Sequence, residues 1–145
     1  MDAHDQLTVE RVMTECVYSI SPTDSAQSAA RLMLEAGVGM LPVEVPGVGA
    51  ILGVVTDRDI VTQVVAKALA TTTAVSEFMT ASAETCERRD NVHTALERMV
   101  EAGLHRLVVV DDSNRAVGIL SLSDIVREHP SLAEKVAMSR KSGGG

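Results

Sequence analysis

The feature that most constrains this chain is that it is written twice. Displaced by about 66 positions, it matches itself: "VMT" at Val12–Thr14 falls on "FMT" at Phe78–Thr80, Asp24 on Asp90, Met33 on Met99, and "EAG" at Glu35–Gly37 on "EAG" at Glu101–Gly103. Leu41 and Val43 fall on Leu107 and Val109. After a slip of one residue, Gly53 meets Gly118 and "DIV" at Asp59–Val61 meets "DIV" at Asp124–Val126. A repeat that keeps its order this far predicts two copies of one supersecondary unit, each leaning on the other for burial.

Each copy reads as β-α-β-β-α. In the first, "CVYSI" (Cys16–Ile20) suits a strand. Ala26, Ala29, Ala30, Met33 and Leu34 then recur at helical spacing up to Gly37, where a helix end favours a left-handed residue. "MLPVEV" and "AILGVV" are strands about the Pro46–Gly49 turn, and "TDRDIVTQVVAKAL" is a helix with Ile60, Val61, Val64, Val65 and Leu69 on its apolar side. The second copy predicts a helix over Asp90–Ala102, strands "RLVVV" and "AVGIL" joined by "DDSN", and a helix "SLSDIVREH" stopped near Pro130. The expected bounds are 8–68 for the first repeat, 69–75 for a linker, 76–129 for the second repeat and 130–145 for a terminal helix ("SLAEKVAMSRK") and flexible tail. A three-stranded unit of this size cannot cover both faces of its sheet alone. The fold class is therefore α/β (α+β): two pseudo-symmetric repeats with facing sheets, outer helices and a cleft between them. With one Phe, one Tyr and no Trp, the core must be built from aliphatic residues and seven Met.

"TDRD" (Thr56–Asp59) and "SLSD" (Ser121–Asp124) both stand at strand-to-helix junctions. A helix start offers unpaired N–H groups and partial positive charge, which suit phosphate. A hydroxyl there can donate to a phosphate oxygen, and an Asp three residues on can accept from a ribose diol. The same four residues also spell a capping box, which needs no ligand. Only their recurrence at equivalent junctions favours the nucleotide reading.

"VMT", the helices ending in "AG", "LPVEV" and "RLVVVDD", then "GVVTDRDIV" and "GILSLSDIV", together resemble a tandem pair of cystathionine-β-synthase-type (CBS) domains, or Bateman module, over roughly residues 9–128. The resemblance implies a regulatory or sensing module, not an enzyme, that binds an adenosine compound (AMP, ADP, ATP or S-adenosylmethionine) in clefts between the repeats, with no required cofactor, and often forms disc-like homodimers. It assigns ribose binding to Asp59 and Asp124, the hydroxyl near phosphate to Thr56 and Ser121, and a polar ligand contact to Ser123, with Arg58 as its counterpart. "HRLVVVDD" is similar to the strand opening of adenylate sensors, which places His105 and Arg106 near phosphate. Gly39 and Met40 hold those places in the first repeat, so the two sites are expected to be unequal.

Other signals are weaker. The G-x-G pairs at Gly37–Gly39 and Gly47–Gly49 lack a dinucleotide fingerprint, and no P-loop or nucleophile elbow is present. The four His are scattered without metal-ligand spacing, and Cys16 and Cys86 form no CxxC. A formal charge of −7 argues against nucleic acid. No apolar run reaches membrane-spanning length, and the N-terminus lacks a signal peptide's apolar stretch, so a cytoplasmic setting is expected. A module with no attached enzyme needs a protein partner in trans. The alternative function is a ligand-independent dimeric interaction scaffold, such as a stress-response protein.

Overall fold

The computed structural model describes residues 7–15, 18–81 and 84–132. In chain order these form α1 (Val9–Val12), β1 (Thr14–Glu15), α2 (Ala26–Ala36), β2 (Met40–Glu44), β3 (Ile51–Thr56) and α3 (Asp57–Asp59), which continues as a π-helix over Ile60–Val65. Then come β4 (Thr80–Ala81), β5 (Thr85–Glu87), α4 (Val92–Ala102), β6 (Arg106–Val110), β7 (Ala116–Ser121) and α5 (Leu122–Glu128). Two sheets result, ordered β1-β7-β6-β5 and β2-β3-β4. Cys16 and Val17 of the expected first strand, and the terminal helix from residue 133 on, lie outside the described residues. Ile20, at the end of that expected strand, makes an isolated parallel bridge with Val43, matching Cys86 with Val109 in the other sheet.

The compact units are not the sequence repeats. One joins Met1–Cys16 to Glu84–Gly145, and the other is Val17–Ala83. Residues 8–15 of the expected first repeat therefore belong with the body of the second, and the expected linker 69–75 is bonded into the body of the first. The main chain shows how. The Val9 N–H donates to Asp90 O (2.9 Å), the Glu10 N–H to Arg88 O (3.0 Å), and the Val92 N–H to Leu7 O (3.0 Å). In the other unit the Val75 N–H donates to Asp24 O (2.8 Å), the Ser76 N–H to Pro22 O (2.9 Å), and the Ala26 N–H to Thr73 O (2.9 Å). Every atom pair has its counterpart one repeat away. Val9 and Val12 are buried in one core with Leu96, Met99, Leu107, Leu120 and Ile125. Val75 and Phe78 are buried in the other with Met33, Leu41, Val43 and Val55.

The segment that joins each body, residues 7–15 in one unit and 69–81 in the other, is its head, and it ends in a two-residue strand laid on β7 or β3: Thr14 and Glu15 pair with Ile119 and Gly118, and Thr80 and Ala81 with Val54 and Gly53. The glycines make this possible. A Cβ on Gly53 would sit 2.2 Å from Thr80 O, and one on Gly118 2.6 Å from Met13 Sδ and 3.0 Å from Thr14 O.

α2 and α4 are eleven residues each, capped by Ser25 and Asn91 and closed by left-handed Gly37 (φ 69°) and Gly103 (φ 67°). Ala26, Ala29 and Met33 face the core as the periodicity predicts, but Ala30 and Leu34 are exposed, because an eleven-residue surface helix buries a single stripe. The largest departure is the helix after Asp59, which is α for one turn and then π, with the Ala66 N–H on Val61 O and the Leu69 N–H on Val64 O. Val64 is buried and Ile60 half-buried, whereas Val61, Val65 and Leu69 are exposed. Those three stand four apart on a second row that the body does not cover, which corrects the single apolar side read from the sequence.

Cys86 is buried as a free thiol. Burial, then the nearby Asp90 carboxylate, push it up to about 12 from an ordinary 9.0. An unfolded chain would thus ionise this thiol first, so folding keeps its full stability below about pH 9 and loses some of it as pH rises from there towards 12. Cys86 is expected to stay unlabelled by a thiol reagent at pH 8 until denaturant unfolds the chain. Labelling at the rate of an exposed thiol would contradict its burial. Gly53→Ala should destabilise by about 3 kcal/mol, because backbone opposes the new methyl. Gly118→Ala should cost less, about 1–2 kcal/mol, because the flexible Met13 side chain can move. Urea titrations of both variants check the order.

Candidate functional site

The two hydroxyl-x-x-Asp junctions share a backbone frame. Asp57 donates its N–H to Gly39 O (2.9 Å), and Leu122 donates its N–H to His105 O (3.0 Å). Residues 39 and 105 therefore abut the first helical residue of their own copy. Met40 stands opposite Thr56 and Arg106 opposite Ser121 in the antiparallel ladders. Directly paired residues share a sheet face, so the hydroxyl has a methionine as its neighbour in one copy and a guanidinium in the other.

Both hydroxyls are working caps. Thr56 Oγ1 accepts the Asp59 N–H (3.0 Å) while Asp59 Oδ2 accepts the Thr56 N–H (3.0 Å), a complete capping box. Ser121 Oγ accepts the Asp124 N–H (3.1 Å). The capping alternative is thus realised, and it changes how an anion would be held. Asp57 and Leu122 spend their N–H groups on carbonyls, Asp59 and Asp124 on hydroxyls, and Arg58 on Asp57 Oδ1 (2.8 Å). The helix starts are largely satisfied from within, so affinity for phosphate must come from side chains. A capping hydroxyl still has its own O–H to donate, so cap and ligand contact are compatible.

The carboxylates differ. Among the described residues Asp59 Oδ1 has no hydrogen-bond partner, and Asp59 is half-buried. Asp124 is the one buried charged residue among those described, at 8% exposure. Its Oδ1 accepts from Arg127 Nη2 at 2.6 Å, and its Oδ2 from Thr14 Oγ1 at 3.3 Å. Neither partner was among the residues singled out from the sequence. Thr14 is legible in hindsight as the end of the repeated "VMT", and Arg127 as the basic residue three positions after Asp124, on the same helical face.

His105, Arg106, Ser121 and Asp124 gather at one end of the β6–β7 ladder. The Nε2 of His105 is buried there without a hydrogen-bond partner among the described residues. Leaving such a group unpaired costs about 1–3 kcal/mol, so this nitrogen is able to take a further hydrogen-bond partner. Ser123 and Arg58 are exposed at their junctions, and Arg58 and Arg106 make no ion pair among the described residues. In the other unit Thr56, Arg58 and Asp59 come together without a His or Arg on the adjoining strand. Two open grooves of about 420 and 500 Å³ lie at the far end of β6, both beside Glu87, Asp111 and Asp112, and no predicted site residue lines them.

A model of the CBS domain matches residues 9–66 and 75–131. The CBS domain-containing protein YhcV of Bacillus subtilis is 35% identical over 118 residues, which cover 81% of this chain and 82% of that protein. The structure of CBSX2 of Arabidopsis thaliana in complex with AMP superposes with a TM-score of 0.71 at 26% identity, covering 88% of this chain and 98% of that one. The CBS pair of protein MJ0100, in complex with 5'-methylthioadenosine and S-adenosylmethionine, gives 0.73 at 25% identity, covering 83% and 98%. Longer enzymes are also similar, and the chain matches about a quarter of their length.

Proposed function

The chain belongs to the CBS-domain family as a tandem pair, and on that premise we propose that it is a regulatory module binding an adenosine compound at the hydroxyl-x-x-Asp junctions. The observation that carries this reading is the unpartnered Nε2 of His105 at the ladder end that also holds Ser121 and Asp124. Asp124 and Asp59 are the acceptors for a ribose diol. Ser121 and Thr56 donate hydroxyl protons to phosphate, with Ser123 and Arg58 on the exposed rim. Arg106 and His105 supply the cationic and imidazole contacts that Gly39 and Met40 cannot. AMP, ADP, ATP and S-adenosylmethionine share the adenosine part; AMP and S-adenosylmethionine are the compounds held by the similar proteins. The expected setting is a cytoplasmic homodimer that passes occupancy to a protein partner in trans, shifting a conformational equilibrium by the ligand's differential affinity for its states. No helix among the described residues is long and apolar enough to cross a membrane.

Isothermal titration tests this. In protein carrying Asp59→Asn, Asp124→Asn should weaken AMP at least tenfold, the loss of a charge-assisted pair of hydrogen bonds. Arg106→Ala should weaken AMP about tenfold and adenosine by less than twofold, because it acts on the phosphate. If no adenosine compound binds or raises the melting temperature at millimolar concentration, the module is a ligand-independent scaffold instead.

A further inference from the structure

The two carboxylates are unequal in a way that opposes the inequality of the strands. In the second copy Arg127 closes on Asp124 Oδ1 at 2.6 Å from three residues along the same helix. Thr14 takes the other oxygen. Both carboxylate oxygens are therefore committed, in a residue with little exposure to water. The matching position in the first copy is Thr62, whose hydroxyl donates to Arg58 O (2.8 Å) and brings no charge. There Asp59 keeps one oxygen without a partner, since the capping box uses only Oδ2.

We infer that Arg127 is a built-in competitor for the nucleoside diol at Asp124, so that the second copy's ribose acceptor is guarded while the first copy's is open. The inference rests on the nucleotide-binding reading above. A vicinal diol brings two O–H donors and needs carboxylate lone pairs, of which Arg127 now takes one on Oδ1. The guanidinium is held by a single contact to Asp124 Oδ1, with Glu128 3.8 Å from its Nε, and its side chain is 63% exposed. The Arg127 end of the pair is exposed and can swing into water, and the diol's O–H donors would replace it on the buried carboxylate, which would otherwise be left short of partners. Arg127 thus tunes the affinity of the site and does not abolish it. It acts on ligands through Asp124 and is a specificity-determining residue.

Adenosine, which has the diol and no phosphate, isolates the effect, and 2'-deoxyadenosine removes the diol. Titrations are made in full-length protein carrying Asp59→Asn, so that only the Asp124 site is read. Arg127→Gln should tighten adenosine about threefold and leave 2'-deoxyadenosine unchanged. Arg127→Lys, which keeps the charge, should fall between Gln and the parent and guards against a folding effect. Unchanged or weaker adenosine binding in Arg127→Gln overturns the inference. So does equal tightening of both nucleosides, which would indicate a structural effect only. Loss of AMP affinity with adenosine unchanged would make Arg127 a phosphate contact, and overturns it as well. If the protein without any substitution binds none of these ligands, the nucleotide-binding reading itself falls and takes this inference with it.

Discussion

The structure depends on a close backbone approach at two glycines. Where β4 lies on β3 the backbones come nearer than a Cβ on Gly53 allows, and where β1 lies on β7 a Cβ on Gly118 would crowd the Met13 side chain and Thr14 O. This lets the segment before each repeat complete the sheet and core of the body formed by the other repeat. Without its head the second body keeps three short strands, β5, β6 and β7, and the first keeps β2 and β3 with the Ile20 bridge, so that β7 or β3 is left as an unpaired edge in a small sheet, a shape that small domains stabilise poorly. The head supplies the missing edge strand, a main-chain clamp on the turn before the long helix, and two buried apolar residues.

The same approach shapes the chemistry. Because β1 ends against β7, Thr14 reaches the Asp124 carboxylate, so the head takes part in the candidate site as well as in the core. In each copy the hydroxyl that caps the helix is also the hydroxyl proposed to meet a ligand, and the cap fixes its position. The cost of that economy is that helix-start N–H groups are already occupied. Side chains must then decide the outcome, and the copies differ in their side chains. The second has His105 and Arg106 on the adjoining strand and a carboxylate with both oxygens hydrogen-bonded. The first has no such strand residues and an open carboxylate oxygen.

Much of this was legible in the sequence. The repeat, the alternation of elements, the left-handed glycines after α2 and α4, and the doubled junction all follow from spacing and residue chemistry. The partner of each head was not legible. Val9 and Val12 must be buried, but the two bodies present nearly the same apolar surface, and hydrophobic pattern alone does not choose between equivalent acceptors. The physical hint lay in Gly53 and Gly118, since a glycine inside a strand marks a backbone at close range. The π-helix was hidden for a related reason: Val61, Val65 and Leu69 are as apolar as the buried Val64, so composition could not say which row the body covers. Arg127 escaped notice because a basic residue near a helix end reads first as solvent-facing.

Native-state hydrogen exchange of the full chain tests the exchanged heads most directly. The Val9 and Glu10 amides, bonded to Asp90 O and Arg88 O, should open with the same free energy as the β6 amides of the second repeat and respond with them to added denaturant. If Val9 and Glu10 exchange like free amides, or follow β2 and β3 of the first repeat while β6 behaves separately, the heads are not held as described.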